Sequence, residues 1–261
     1  MPAAIEFRDL NYSTAQGRVL LDRISLAIEE GTITAVLGRS GSGKTTLLRT
    51  VNRMVEPTAG EVLVNGANVR DRDLIALRRG MGYVIQETGL FPHFTVERNA
   101  GLVLEAEGRP RSEIVRRSQE LLTAVGLASN GPASFAHRFP HQLSGGQRQR
   151  VGLARALAAE PSILLMDEPF GALDPLTRAE MQDMLRDLLR RLKKTVLLVT
   201  HDLDEALYLA GRIVLLESGK LIANLAPADF LNSTQPEIVS YIRAFHRGER
   251  ESAQIAAGEQ S

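Results

Sequence analysis

The chain has 261 residues, 44% of them hydrophobic, and its 31 basic side chains are balanced by 31 acidic ones. This length and composition are typical of a globular protein with one large domain or two closely packed subdomains, and the charge balance argues against nucleic acid or an anionic membrane surface as a partner. The lack of cysteine excludes disulfides and thiolate metal sites and fits a reducing compartment.

The N-terminal residues do not have the pattern of a targeting segment. Glu6, Arg8 and Asp9 stand where a signal peptide needs an apolar core. No apolar run approaches the roughly 20 residues that a transmembrane helix needs. We therefore expect that any work at a membrane depends on a partner that spans it.

The first strongly marked element is a glycine-rich loop between a strand, predicted over residues 33–37, and a helix, predicted over 45–51. The loop reads G-R-S-G-S-G-K-T, which matches the phosphate-binding pattern in the context that it requires. Lys44 supplies a cation for the phosphates and Thr45 a hydroxyl for Mg²⁺. The residues that we expect at the phosphates of ATP are Gly38, Arg39, Ser40, Gly41, Ser42, Gly43, Lys44, Thr45 and Thr46.

A second predicted anion site follows Leu143, where the sequence S-G-G-Q precedes a helical segment over 148–157. Serine and glycine amides at a helix N-terminus suit an anion. Because the chain already has one phosphate loop, we expect Ser144, Gly145 and Gly146, with Gln147 beside them, to act in trans. They would contact the γ-phosphate of ATP held by a second copy of the chain.

Two later apolar runs, over 162–166 and 195–200, predict buried strands of a mostly parallel sheet. They lead into Asp167 and Glu168 and into His201, at the strand ends where ligands of such sheets lie. Asp167 is placed to hold Mg²⁺, and Glu168 to polarise the water that attacks the γ-phosphate. The helix between the two runs is predicted from Asp174 as its N-cap and Pro175 in its first turn.

In sequence and order these segments resemble the motifs of ATP-binding cassette (ABC) ATPases over about residues 5–245. The resemblance implies an α/β fold: a P-loop core with a mostly parallel sheet, an N-terminal antiparallel β subdomain and an inserted helical subdomain. It also assigns Gln86 to a catalytic glutamine loop that contacts Mg²⁺, Asp174 to the D-loop and His201 to the γ-phosphate. Tyr12 lies where members of the family have an aromatic side chain that stacks on the adenine of ATP. The alternative is that Tyr12 is an ordinary tyrosine on the face of a strand, without a role in binding.

The predicted domain organisation follows from the same resemblance. We expect the ATPase domain over 1–246, its helical subdomain over about 89–155, and a disordered tail over 247–261. Arg39 lies at a position where relatives often have proline. Its side chain could contact either the nucleotide or a partner chain, and the sequence does not decide between the two. Many osmoprotectant ATPases extend into regulatory CBS modules beyond this point, so we do not expect regulation by ionic strength through this subunit.

Several segments point to a transporter rather than to a soluble ATPase acting on DNA, ribosomes or iron–sulfur assembly. Residues 89–94 place Phe91 and Phe94 where transporter relatives receive the membrane subunit; burial in the subdomain core is the alternative. The sequences of residues 78–86 and 89–97 look most like those of the ATPases of importers for glycine betaine, choline or carnitine. Importers of amino acids, nitrate or sulfonate remain alternatives.

The expected assembly follows from that resemblance. We expect a homodimer of ATPase subunits, peripheral at the cytoplasmic face of the membrane and bound to transmembrane permease subunits. A periplasmic or lipid-anchored binding protein would act through the permease, and no nucleic acid is involved.

Overall fold

A computed structural model describes residues 2–127 and 134–246, so the predicted disordered tail lies outside the described residues. In chain order the strands are β1 (Ala3–Ser13), β2 (Val19–Glu29), β3 (Ile33–Leu37), β4 (Ala59–Val64), β5 (Ala67–Asn68), β6 (Met81–Val84), β7 (Ile163–Asp167), β8 (Thr195–Val199), β9 (Arg212–Glu217) and β10 (Lys220–Leu225). The helices are α1 (Lys44–Val51), α2 (Leu74–Arg79), α3 (Val96–Ala106), α4 (Arg111–Ala124), α5 (Gly145–Leu157), α6 (Pro175–Leu192), α7 (Leu203–Leu209), α8 (Pro227–Leu231) and α9 (236–246).

The central sheet has six strands in the order β10-β9-β3-β8-β7-β6. All neighbours pair in parallel except β10, which lies antiparallel on β9 at one edge. Every residue of β7 and β8 is buried, as expected for strands covered on both faces. The parallel order places the ends of β3, β7 and β8 side by side, so the segments that follow them meet at one edge.

The N-terminal sheet is antiparallel, with the order β2-β1-β4-β5. Along β2, Ile24, Leu26 and Ile28 are buried while the residues between them are exposed, the alternation of a sheet with one face on the core. That face shares a hydrophobic cluster with Leu47 and Leu48 of α1. The helix after the phosphate loop is thus packed between the two sheets, and the predicted fold class is confirmed.

The helices α3, α4 and α5 pack on one another and lie between β6 and β7 in chain order. Their buried side chains join α6 and the sheet in one cluster. Gly82 on β6 allows the end of α5 to approach closely, because a Cβ there would lie 2.4 Å from the carbonyl oxygen of Ala156. The proposed limits of this helical group, about 89 and 155, remain a prediction.

Within the described ranges 2–127 and 134–246, the structure contains no helix with the length and apolar character of a membrane span.

Candidate functional site

The phosphate loop has a backbone that only glycine accommodates at two of its positions. Gly38 and Gly43 have φ angles of 152° and 102°. A Cβ at Gly38 would lie 2.3 Å from the carbonyl oxygen of Leu216, and one at Gly43 would lie 2.5 Å from that of Leu20. The loop is therefore pressed against β9 and β2, which hold its amides around an open cavity.

This cavity has a volume of about 240 Å³. It is lined by Arg18, Leu20, Ser40, Gly41, Ser42, Gly43, Lys44, Thr45, Thr46 and Glu168. The structure thus brings together most of the predicted phosphate-binding residues and the predicted base. Arg18 and Leu20, from the start of β2 and the turn before it, were not predicted.

Lys44 begins α1 and is buried. Its Nζ donates hydrogen bonds to the carbonyl oxygens of Gly38, at 2.7 Å, and Arg39, at 3.1 Å. Burial lowers the pKa of Lys44, while the nearby carboxylates of Glu168 and Asp167 act in the opposite direction. The ammonium group therefore lies inside the loop with negative charge close to it.

Asp167, the last residue of β7, lies beside the first turn of α1. Its Oδ1 accepts a hydrogen bond of 2.8 Å from Thr45 Oγ1, and its Oδ2 lies 3.6 Å from Nη2 of Arg49. The carboxylate is only 6% exposed. A hydroxyl and a carboxylate side by side fit Mg²⁺, which takes oxygen ligands and uses few protein groups where phosphates are also present.

The three predicted catalytic side chains converge on one oxygen atom. Glu168 Oε2 lies 3.4 Å from Nε2 of Gln86 and 3.3 Å from Nδ1 of His201. Glu168 has a φ of 46°, and its backbone N–H donates to the carbonyl oxygen of Val199. A left-handed conformation is uncommon outside glycine and is often found at functional sites. The turn after β7 thus aims the carboxylate at the phosphate cavity.

A polar network links the segment before α6 to the segment after β8. Arg178 on α6 donates to Oδ2 of Asp202 and to the carbonyl oxygen of Leu173, each at 3.3 Å. Asp202 caps α7 by accepting from the backbone N–H of Glu205. The loops that carry Asp174 and His201 are therefore joined through the guanidinium group of Arg178, a residue that the sequence did not predict for the site.

Glu205 is a buried acid four residues after His201. It is 4% exposed, and its Oε2 accepts a hydrogen bond of 2.5 Å from Thr200 Oγ1. The pKa of Glu205 is raised to about 7, with burial as the largest cause. The Asp202 carboxylate contributes to this rise, whereas the Thr200 hydrogen bond and the positive charge of Arg178 oppose it.

The second predicted anion site, residues 144–147, forms the N-terminus of α5. Ser144 Oγ accepts from the backbone N–H of Gln147, and Gln147 Oε1 accepts from that of Ser144, which makes a capping box. Gly145 lines a second cavity of about 360 Å³, together with Gln86 and Leu173. No residue of the phosphate loop is among those that line it, and Ser144, Gly145 and Gly146 do not line the phosphate cavity of their own chain.

Three further predicted site residues are not among those that line the phosphate cavity. Tyr12, on β1, packs half-buried on the core beneath the N-terminal sheet and is absent from the residues that line that cavity. Asp174 caps α6, accepting from the N–H of Thr177. Arg39 is exposed and lines a small recess with Tyr241 of α9, whose hydroxyl donates to the carbonyl oxygen of His201.

Comparison with known proteins gives a family match over residues 21–171, described as ABC transporter. The choline transport ATP-binding protein OpuBA of Bacillus subtilis (strain 168) is 45% identical over 223 residues, 85% of this chain and 58% of the relative. The glycine betaine uptake system ATP-binding protein YehX of Escherichia coli (strain K12) is 46% identical over 216 residues, 83% and 69% of the two chains. This chain thus spans little more than half of the choline relative.

A solved structure has the same architecture. The dimeric structure of MJ0796, a bacterial ABC transporter cassette, is 35% identical and superposes with a TM-score of 0.76. The match covers 85% of this chain and 98% of that chain.

Proposed function

The chain belongs to the ABC transporter family, and we propose that it is the ATP-hydrolysing subunit of a membrane importer for quaternary-amine osmoprotectants such as glycine betaine, choline or carnitine. The observation that carries the enzymatic part is the meeting of Gln86 and His201 on Glu168 Oε2, at the edge of the phosphate cavity. The substrate class rests on the choline and glycine betaine relatives.

In this proposal the loop amides hold the phosphates of ATP, and Lys44 contacts the β- and γ-phosphates. The glycine backbone described above supports this role, because any larger residue at Gly38 or Gly43 would collide with a neighbouring strand. Tyr12 is assigned to the adenine by resemblance alone. Arg39 is assigned to the α9 side of the loop, where it lies beside Tyr241.

We assign Thr45 and Asp167 to Mg²⁺, with Gln86 as a further ligand. The hydrogen-bonded pair of hydroxyl and carboxylate supports the first two residues. When bound, the ion supplies positive charge that neutralises the phosphate oxygens during transfer.

Glu168 is the proposed general base. It would accept a proton from water while the water oxygen bonds to the γ-phosphorus and the bond to the ADP oxygen breaks. Gln86 and His201 would orient the carboxylate, and His201 would also contact the γ-phosphate. General-base assistance of this kind contributes roughly 10²- to 10⁴-fold in rate.

The proposed active unit is a head-to-tail homodimer. Ser144, Gly145 and Gly146 of one copy would close over the γ-phosphate held by the other, and Asp174 would lie at the same interface. These three residues do not line the phosphate cavity of their own chain, which supports a composite site. Hydrolysis would remove the γ-phosphate contacts and open the dimer.

The proposed membrane contact is the surface around Phe91. Phe91 is 43% exposed and stacks on Phe94 with 5.2 Å between ring centroids, which leaves an apolar side chain facing solvent five residues before the start of α3. We assign this surface to a transmembrane permease subunit, with the ATPase peripheral at the cytoplasmic face. A binding protein outside the membrane would select the cargo.

The enzymatic proposal is tested with Glu168→Gln. We expect the variant to bind ATP, to hydrolyse it at least about 100-fold more slowly, and to accumulate as a closed dimer in ATP and Mg²⁺. The matched control is Glu180→Gln on α6, an exposed carboxylate whose ion pair with Arg150 is long, at 3.8 Å. Near wild-type turnover by Glu168→Gln would refute the base assignment.

A further inference from the structure

We propose that Arg155 is the positioning residue that joins α5, the helix that begins with the second predicted anion site, to the segment 86–94. Movement of α5 would then displace Gln86 and Phe91 together. This inference rests on the proposed function, because the joined segment carries one proposed catalytic group and the proposed permease contact. We call residues 86–94 the glutamine segment.

The contact that joins α5 to the glutamine segment is a pair of hydrogen bonds from one guanidinium group. Arg155 Nη1 donates to the carbonyl oxygen of Gly89 and Nη2 to that of Thr88, both at 2.7 Å. A planar guanidinium group that bonds two successive carbonyls fixes both distance and direction between a helix and a loop. The two partners lie 66 and 67 residues away in sequence, so the contact is tertiary.

The guanidinium group of Arg155 has no counter-ion within the described parts of the chain. No carboxylate there lies within ion-pair distance of it, and burial lowers the pKa of its side chain. The carbonyl dipoles of the glutamine segment are therefore its main electrostatic partners. Losing them would leave a partly buried charge without compensation, so the contact should persist when α5 moves.

The face of α5 that carries Arg155 also lies along the glutamine segment in the two turns that precede Arg155. Gly152 faces Thr88, and a Cβ added there would lie in van der Waals contact with the Thr88 carbonyl oxygen, at 3.6 Å. Gln149 is buried, lines the 360 Å³ cavity with Gln86 and Thr88, and has no hydrogen-bond partner for Nε2 among the described residues. Residues spaced by three share a helix face, so Arg155 ends a continuous contact surface.

The two ends of the glutamine segment are held by other elements. Gln86 Nε2 lies 3.4 Å from Glu168 Oε2 beside the phosphate cavity. At the other end, the buried Asn99 of α3 accepts from the N–H of Phe91 at 2.8 Å and donates to its carbonyl oxygen at 3.1 Å. Arg155 supplies the charged attachment between these ends and connects them to α5, the helix that Ser144 caps.

The first test uses the ATPase assembled with its permease and binding protein in liposomes. Arg155→Gln is compared with Arg150→Gln, which removes a guanidinium bond from the same helix to Val125 rather than to the glutamine segment. We expect Arg155→Gln to lose about tenfold in cargo-stimulated ATP hydrolysis, the effect of one charged hydrogen bond. Cargo-free hydrolysis and the unfolding midpoint should change no more than in Arg150→Gln.

The second test needs no cargo. Hydrogen exchange of the amides of residues 88–91 in the purified chain should quicken about tenfold in Arg155→Gln and stay unchanged in Arg150→Gln. Arg155→Lys keeps the charge but reaches one carbonyl, so it should lie between wild type and Arg155→Gln in both tests.

Unchanged exchange, or unchanged cargo stimulation with a folded variant, would overturn the inference. A purely structural arginine would lower the unfolding midpoint and leave the ratio of stimulated to cargo-free hydrolysis intact. If the wild-type assembly ignores every cargo, the proposed transport role fails, and the exchange rates still decide whether Arg155 holds the glutamine segment.

Discussion

Replacing Glu205 by glutamine should change the pH dependence of stability. Glu205 is buried, accepts a hydrogen bond from Thr200 and has its pKa raised by burial from 4.5 to about 7. Because the folded pKa lies above the unfolded one, the folded state holds the proton more tightly. The stability that results is fully present below about pH 4.5 and is lost as the pH rises through 7.

The size of this effect follows from the two pKa values. The difference between 4.5 and about 7, at about 1.4 kcal/mol per unit, corresponds to roughly 3 kcal/mol of unfolding free energy. Glutamine has the same shape, stays neutral and keeps a carbonyl oxygen for the Thr200 hydroxyl. We therefore expect Glu205→Gln to be more stable than wild type by roughly 3 kcal/mol at pH 8.5, and similar to it near pH 4.5.

The assay is urea unfolding of both proteins at several pH values between 4.5 and 8.5. The difference between the variants isolates this one group, because every other titrating side chain is shared. Glu180→Gln, which removes an exposed carboxylate, should follow the wild-type curve within about 0.5 kcal/mol. Parallel curves for Glu205→Gln and wild type would show that the carboxylate titrates normally and would refute the reasoning.

The remaining predictions concern the dimer and the packing of α5. Ser144→Arg and Glu168→Gln should each be nearly inactive. A 1:1 mixture of the two variants should nevertheless recover about a quarter of wild-type ATPase activity, because half of the dimers are mixed and each mixed dimer has one intact composite site of two. No recovery would mean that the sites do not form in trans. Gly82→Ala should lower the unfolding free energy by roughly 1–3 kcal/mol in urea, because its Cβ would meet the Ala156 carbonyl at 2.4 Å. Gly211→Ala, with 3.9 Å to its nearest neighbour, should cost much less, and equal losses would contradict the packing account.

Local signals made the core and most motif positions predictable. The continuous apolar runs became β3, β7 and β8, with bounds within one residue of those predicted. Asp174 caps α6 as predicted from its position before Pro175. α5 begins at Gly145, three residues before the predicted helical segment, because Ser144 and Gln147 close a capping box over the first turn.

The contacts that complete the site could not be predicted from the sequence. Arg18 joins the phosphate cavity and Arg178 bridges two loops only because the sheets bring distant segments together. Arg155 carries no periodic or motif signal for its bond to Thr88. Glu205 follows polar neighbours in sequence, and its burial depends on how α7 packs on β3. Tertiary packing decides such contacts, and no local pattern encodes them.

The most direct test of the central claim is ATP hydrolysis by this chain assembled with its permease and binding protein in liposomes. Glycine betaine, choline, carnitine and a panel of amino acids are supplied one at a time. We expect strong stimulation by at least one quaternary amine and none by the amino acids. Stimulation by an amino acid alone would contradict the proposed quaternary-amine cargo. ATP hydrolysis that does not respond to any cargo or to the permease would contradict the transport role itself.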